Sequence, residues 1–275
     1  MEIDGTSHVA VGQGDSWALV QGGVGLTLAD AIALDPAERA AALAPGALAP
    51  DSAVLRAPLR PGSVVAIGLN YLDHIRETGL ERPERPLVFA KLRSSIIGPD
   101  EPIRIDPALT RQVDWEVELA AVIGRRSRDV SVDEALDAVF GYTVANDISA
   151  RDLQFSDGQW IRGKSLDTFG PIGPVVVTGD ELGDPQSLAL RTRVNDDTVQ
   201  DSSTAEMLFG VAELIAFCSR SFTLEPGDLL LTGTPWGCGG FMSPPRFLAP
   251  GDVVEAEVAG IGILRNPVLA SSLCR

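Results

Sequence analysis

Hydrophobic residues along this chain fall mainly in short runs bounded by Gly and Pro, a pattern that predicts strands joined by tight corners. Residues 8–11 and 17–20 read as β-like runs, and the Ala-rich stretch 35–44 reads as a helix. Asp35 is placed to cap that helix, with Pro36 at its first position. Pro45, Pro50 and Pro58 then interrupt the pattern, and Arg60-Pro61-Gly62 marks a turn. From Ser63 onward strands dominate: 64–68, 115–123, 140–145, 188–194, 228–231 and 253–258. Residues 71–77 are polar and helical in pattern. Ser131 and Glu134 have the spacing of a capping box ahead of a short helix over 134–139. A second such pair, Ser203 and Glu206, precedes Met207, Leu208, Val211, Leu214, Ile215 and Cys218, which recur at helical spacing. These positions predict one long helix packed into the core. The elements sum to a β-rich α+β chain, a folded-over sheet or barrel-like roll rather than alternating βαβ units. Residues 1–57 read as a small N-terminal subdomain and connector, and 58–275 as the main domain.

Composition narrows the class of partner. The 275 residues are 45% hydrophobic and 22% charged, an ordinary globular balance able to bury a sizeable core. A net charge of −16 repels phosphate backbones and anionic lipid, which argues against nucleic acid and membrane surfaces as partners. No apolar stretch reaches the roughly 18 residues of a membrane span. The first residues carry neither a basic segment nor an apolar one, so the expected compartment is the cytoplasm. Cys218, Cys238 and Cys274 form no C-x-x-C pair, against a disulfide framework or a thiolate zinc site. The sequence lacks G-x-G-x-x-G, a Walker A segment and G-x-S-x-G. With His8 and His74 the only histidines, its chemistry rests on carboxylates, one mid-chain His and a few cations.

On a strand, Glu116 and Glu118 point to one face while Val117 and Leu119 point to the other. Two adjacent carboxylates repel, and either solvent or a hard divalent cation must offset that. Further on, an apolar run ends at Asn146-Asp147. If a helix follows directly, Asp147, Arg151 and Gln154 share a face; the alternative is an Asp147 cap with a surface ion pair to Arg151. Lys164 lies in a Gly- and Pro-rich loop, and Thr234 in the corner Leu231-Thr232-Gly233-Thr234-Pro235. Each corner can present a group to an anion or simply turn the chain. His74 and Glu77, three apart, share a helix face on which the Glu can orient the imidazole as a base. A surface His beside a Glu has the same spacing.

Taken in order, NYLDHIRETG, KLRSSIIGPDEPI, VDWEVELAAVIG, GYTVANDISARDLQ, RGKSLDTFGPIGP, DSSTAEMLFGVAELIAF, LTGTPWG and GIGILRNPV resemble the fumarylacetoacetate hydrolase family. The resemblance runs from Val64 to Val268 and implies a mixed β-roll, a homodimer and a small variable N-terminal region. It implies Mg²⁺ or Mn²⁺ on Glu116, Glu118 and Asp147, and substrate oxygens held by Arg151, Gln154, Lys164 and Thr234. It places a water-activating pair on a mobile lid at His74 and Glu77. Trp115 stands where Tyr or Phe is more usual, Leu166 where Phe is, and residues 236–242 fall at the expected pocket entrance. With both members of the pair present, the favoured expectation is hydrolysis of a C–C bond in an acylpyruvate-like or related β-diketo acid, through an enolate stabilised by the cation. Lys164 would assist that catalysis. The alternative is oxaloacetate-type decarboxylation, or isomerisation or tautomerisation of a 2-oxo or 2-hydroxy-diene dicarboxylic acid. A non-catalytic binding protein is the third. In each case the partner is a small anionic oxo acid.

Overall fold

A computed structural model describes residues 1–13 and 16–271. Cys274 lies outside them; Cys218 and Cys238 are buried free thiols. The chain is β-rich α+β. Its centre is a seven-stranded mixed sheet in the order Leu87–Lys91, Val64–Gly68, Leu229–Leu231, Val117–Ile123, Val139–Asn146, Gly170–Thr178, Ile96–Ile97. A five-stranded sheet runs Asp197–Ser203, Ala189–Val194, Val253–Val258, Gly262–Ala270, Ile103–Ile105. Strands Glu2–Ile3, Thr6–Gln13, Ser16–Val24 and Pro45–Leu48 form a separate four-stranded sheet within the first fifty residues.

Strand Val117–Ile123 is buried along its whole length, and its alternation divides the core. Val117, Leu119, Ala121 and Ile123 pack toward Leu190, Ala256, Val258 and Leu264 of the second sheet. Ala120 and Val122 face the opposite way, onto Val64, Ala66, Leu229 and Ile32. Glu118 therefore belongs to a densely covered face.

Asp35 caps helix Pro36–Ala42 as expected, accepting from the amides of Ala37 and Glu38 at 2.9 Å each. Ser131 and Glu134 bond at 2.7 Å ahead of helix Val132–Ala135. The long helix is a correction. Ser203 caps only the 3-10 turn Thr204–Glu206, and the α-helix is Val211–Ser221. Its N-terminus is closed instead by Glu213, which accepts from Gly210 N at 2.8 Å. Met207 and Leu208 precede it because the Asn70 side chain and main chain pin this segment: Asn70 O accepts from Leu208 N, and Asn70 Oδ1 from Phe209 N. Val211, Leu214, Ile215 and Cys218 are the buried stripe. Leu214→Ala is expected to destabilise the chain by about 2–5 kcal/mol, read by urea unfolding.

The strand expected over 115–123 is also interrupted. Val113–Asp114 pairs with Ser149–Ala150, and the central strand resumes at Val117. At the break, side chains replace ladder partners. Asp114 accepts from Trp115 N, Asn146 Oδ1 from Glu116 N, and Gln200 Oε1 from Val117 N.

Candidate active site

Glu118 comes from the central strand, Glu116 from the break before it, and Asp147 from just beyond the end of the neighbouring strand. The register Val117↔Asn146 brings the three together, and Asp147 N donates to Glu116 O at 2.9 Å. One carboxylate oxygen from each lies within 4.8 Å of the others. All three are buried, at 6%, 1% and 0% exposure, so solvent does not offset their repulsion. Protein cations do so in part. Lys164 Nζ donates to Glu116 Oε2 at 2.7 Å and to Asp147 Oδ2 at 2.8 Å. Lys91, itself buried, donates to Asp147 Oδ1 and to the Lys164 carbonyl. Burial alone would raise Glu116, but the Lys164 ammonium and then the Arg151 guanidinium outweigh it and hold that carboxyl at about 2. Glu118 goes the other way: burial first, then Asp147 and Glu116, push its carboxyl well above the ordinary range. It accepts from Gly233 N at 2.7 Å.

Counting Asp114, which also binds Arg151, four carboxylates face three cations (Lys91, Lys164 and Arg151), and Glu116, Glu118 and Asp147 converge as an all-oxygen donor set that fits a hard divalent cation such as Mg²⁺ or Mn²⁺. The raised Glu118 carboxyl is the repulsion such an ion would relieve. The sign of its pH effect follows from proton binding. The metal-free folded state holds Glu118's proton at pH values where the unfolded chain has lost it. Stability from this group therefore falls as pH rises from 4.5 through the raised value. The expected result is a falling stability curve over that window in metal-free protein, flattened in Glu118→Gln, both measured by urea titration.

Arg151 opens helix Arg151–Asp157 rather than continuing one from Asp147. This corrects the expectation that Asp147, Arg151 and Gln154 share a helix face: residues 149–150 are strand, and Ala150 is the cap. Asp147 and Arg151 form no ion pair with each other; Asp147 goes to the lysines. Arg151 Nε donates to Asp114 Oδ2 at 2.8 Å, and its Nη1 lies 2.6 Å from Glu116 Oε1 and 3.0 Å from Gln154 Oε1. Its Nη2 is buried without a partner. Lys164 ends a short helix, Ile161–Lys164, rather than lying in a loop.

His74 and Glu77 lie on helix Leu72–Thr78, which stops at Gly79 with φ 66°. His74 is buried, at 6% exposure, unlike a surface His. Its Nδ1 is 2.8 Å from Glu77 Oε2, and Glu77 Oε1 accepts from Gly237 N at 2.8 Å. Both carboxylate oxygens of Glu77 are thus engaged, which fixes the ring behind them. Thr234 Oγ1 accepts from Gln200 Nε2 at 3.0 Å. One cleft is bordered by His74, Glu116, Arg151, Gln154, Lys164 and Thr234. From the expected entrance segment Phe241 reaches this cleft, while Leu166 packs against a different core cluster.

Sequence reasoning assigned no role to Lys91, Asp114 or Gln200. Asp114 is fully buried and accepts four hydrogen bonds, from Trp115 N, Arg151 Nε, Gly239 N and Gly240 N. The glycines lie far along the chain, so spacing near Asp114 carries no trace of them. Lys91 stands in the segment KLRSS, where only its burial would have marked it.

The family model described as fumarylacetoacetate (FAA) hydrolase C-terminal matches residues 63–269. A Xenopus laevis protein named oxaloacetate tautomerase fahd2, mitochondrial, is 49% identical over 218 residues, covering 78% of this chain and 68% of its own. The solved structure of fumarylacetoacetate hydrolase (EaFAH) from psychrophilic Exiguobacterium antarcticum superposes with a TM-score of 0.89 at 39% identity, covering 98% of each chain. That of 5-carboxymethyl-2-hydroxymuconate delta-isomerase from Mycobacterium smegmatis gives 0.78 at 37% identity, covering 97% of this chain and 95% of that one. No helix among the described residues is long and apolar enough to cross a membrane.

Proposed function

The chain belongs to the fumarylacetoacetate hydrolase family, and from that premise we propose that it is a keto–enol tautomerase, moving a proton between carbon 3 and the 2-oxo oxygen of a small 2-oxo acid. The observation that carries this reading is the single cleft in which His74, backed by Glu77, faces Arg151, Gln154 and Lys164. The names of similar proteins, a tautomerase at 49% identity and an isomerase at 37%, support it, since both denote reactions that keep the carbon skeleton.

In this mechanism Nδ1–H of neutral His74 donates to Glu77, which leaves Nε2 as the ring's acceptor. Nε2 takes the carbon 3 proton, and the Glu77 carboxylate stabilises the imidazolium that forms. The C–H electron pair becomes the C2–C3 double bond, the C2–O π pair moves onto the 2-oxo oxygen, and that oxygen takes the proton from the His74 imidazolium, which restores the neutral ring. The reverse direction returns it to carbon 3. Charge developing on that oxygen meets Lys164, and the unpartnered Nη2 of Arg151, with Gln154, holds the substrate carboxylate. Glu116, Glu118 and Asp147 would hold Mg²⁺ or Mn²⁺, which supplies Lewis-acid polarisation of the 2-oxo group when bound. The same reading takes a small anionic oxo acid as ligand and a homodimer as the assembly.

A second reading, C–C hydrolysis of an acylpyruvate-like acid, uses the same pair to activate water. It is supported by the 39% identity to a protein named as a hydrolase. Proton NMR of the Mg²⁺-loaded protein in D₂O with oxaloacetate and acetylpyruvate separates the two. Loss of carbon 3 protons above the metal-only background, without new carboxylic acid, is the expected result. Pyruvate plus acetate would replace the tautomerase with the hydrolase. Release of CO₂ from oxaloacetate would replace it with a decarboxylase.

A further inference from the structure

We propose that the outer half of the cleft is an apolar subsite, so that the preferred 2-oxo acid carries an alkyl or aryl group on carbon 3 rather than a second carboxylate. The inference rests on the tautomerase reading for the identity of the substrate's acidic end.

Beyond the polar floor, the cleft is walled by Leu69, Leu80, Phe89, Phe155, Trp160 and Phe241. None of these is fully buried, and two stand open to solvent: Leu80 is 52% exposed and Phe155 is 62% exposed. The wall begins against the proposed base, since the Phe241 ring meets His74 edge-on at 5.3 Å and Phe155 at 6.4 Å. On the other side Phe89 and Trp160 meet edge-on at 5.3 Å. Trp160 is seated over the backbone of Gly68, where a Cβ would strike its ring. This half of the wall is therefore built around a glycine and held in place.

The cations mark the boundary. Arg151 lies 5.3 Å from the centroid of Phe241, and Lys164 Nζ lies 5.4 Å from that of Phe89. Both are already bound to floor carboxylates, Arg151 to Asp114 and Glu116, Lys164 to Glu116 and Asp147. Among the described residues bordering the cleft, no further Lys or Arg stands on the outer wall. A second carboxylate there would lose water against aromatic rings with no cation to meet it. A phenyl or alkyl group would instead cover Phe155 and Leu80, removing apolar surface from water on both sides.

The test is calorimetric binding of pyruvate, phenylpyruvate and oxaloacetate to the Mg²⁺-loaded chain, with carbon 3 deuterium exchange followed in parallel. Phenylpyruvate is expected to bind at least tenfold tighter than pyruvate and tighter than oxaloacetate. Phe155→Ser, at an exposed position, is expected to narrow the phenylpyruvate-to-pyruvate ratio at least threefold. A ratio below tenfold in the wild type, oxaloacetate as the tighter ligand, or an unchanged ratio in Phe155→Ser would overturn the subsite. Absence of exchange with every acid would sink the tautomerase reading separately, while the order of binding still decides the subsite.

Discussion

His74→Ala is expected to slow carbon 3 proton exchange in the Mg²⁺-loaded enzyme by about 10²–10⁴-fold, the usual worth of a positioned general base. Affinity for oxalate, an inert mimic of the 2-oxo acid end, should persist. The reason for the split is spatial. The groups assigned to the acid end are Arg151, Gln154 and Lys164, whose hydrogen bonds and ion pairs run to Asp114, Glu116, Asp147 and one another, none of them to His74. Removing the imidazole also leaves Glu77 anchored through Gly237 N, so the entrance segment keeps its tie to helix Leu72–Thr78. Exchange by His74→Ala at the wild-type rate would remove the base from this residue. Loss of oxalate binding together with activity would show that the substitution had disturbed the floor.

Glu118→Gln and Glu116→Gln are expected to weaken Mn²⁺ binding about 100-fold or more, since even outer supports of a metal site are worth 10- to 100-fold. Titration calorimetry with Mn²⁺ reads this directly. The two variants should differ in stability without metal. Glu118 is crowded by Asp147 and Glu116, and no Lys or Arg forms an ion pair with it among the described residues, so its amide relieves repulsion and the metal-free chain gains stability. Glu116 is bound to Lys164 and Arg151, so its amide leaves two buried cations short of a partner and costs about 3 kcal/mol. Equal Mn²⁺ loss with opposite stability shifts would separate a lost ligand from a damaged fold. Wild-type Mn²⁺ affinity in Glu118→Gln would remove this carboxylate from the metal site.

Much of the fold was legible because its signals are local. Asp35 sits where a short polar side chain reaches the free amides two and three residues on, and it does so, while Glu134 accepts from both the hydroxyl and the amide of Ser131. Ser203 has the same local chemistry, yet it caps only a 3-10 turn. Asn70 binds the following segment, and Glu213 starts the helix later. Likewise the run 115–123 looks continuous, but the amides of its first three residues bond to the side chains of Asp114, Asn146 and Gln200. In both cases a polar side chain competed with the regular ladder, and the competition was invisible to hydrophobic period.

The sequence by itself set Glu116 and Glu118 two residues apart at the start of an apolar strand, but Glu116 lies in the break before Val117, so its meeting with Glu118 and Asp147 is a product of the fold. The sequence's ordered motifs pointed to the family and so to Asp147, Arg151, Gln154, Lys164, His74, Glu77 and Thr234 as one set. Only the tertiary structure decided whether those carboxylates met water or buried cations, and which cation met which carboxylate. Lys91 reaches Asp147 across 56 residues, and Asp114 ties Arg151 to the amides of Gly239 and Gly240, 125 and 126 residues from Asp114 along the chain. The physical reason is range. Periodicity and capping act over a turn or two of chain, whereas burial and charge pairing depend on which distant strands close over a site.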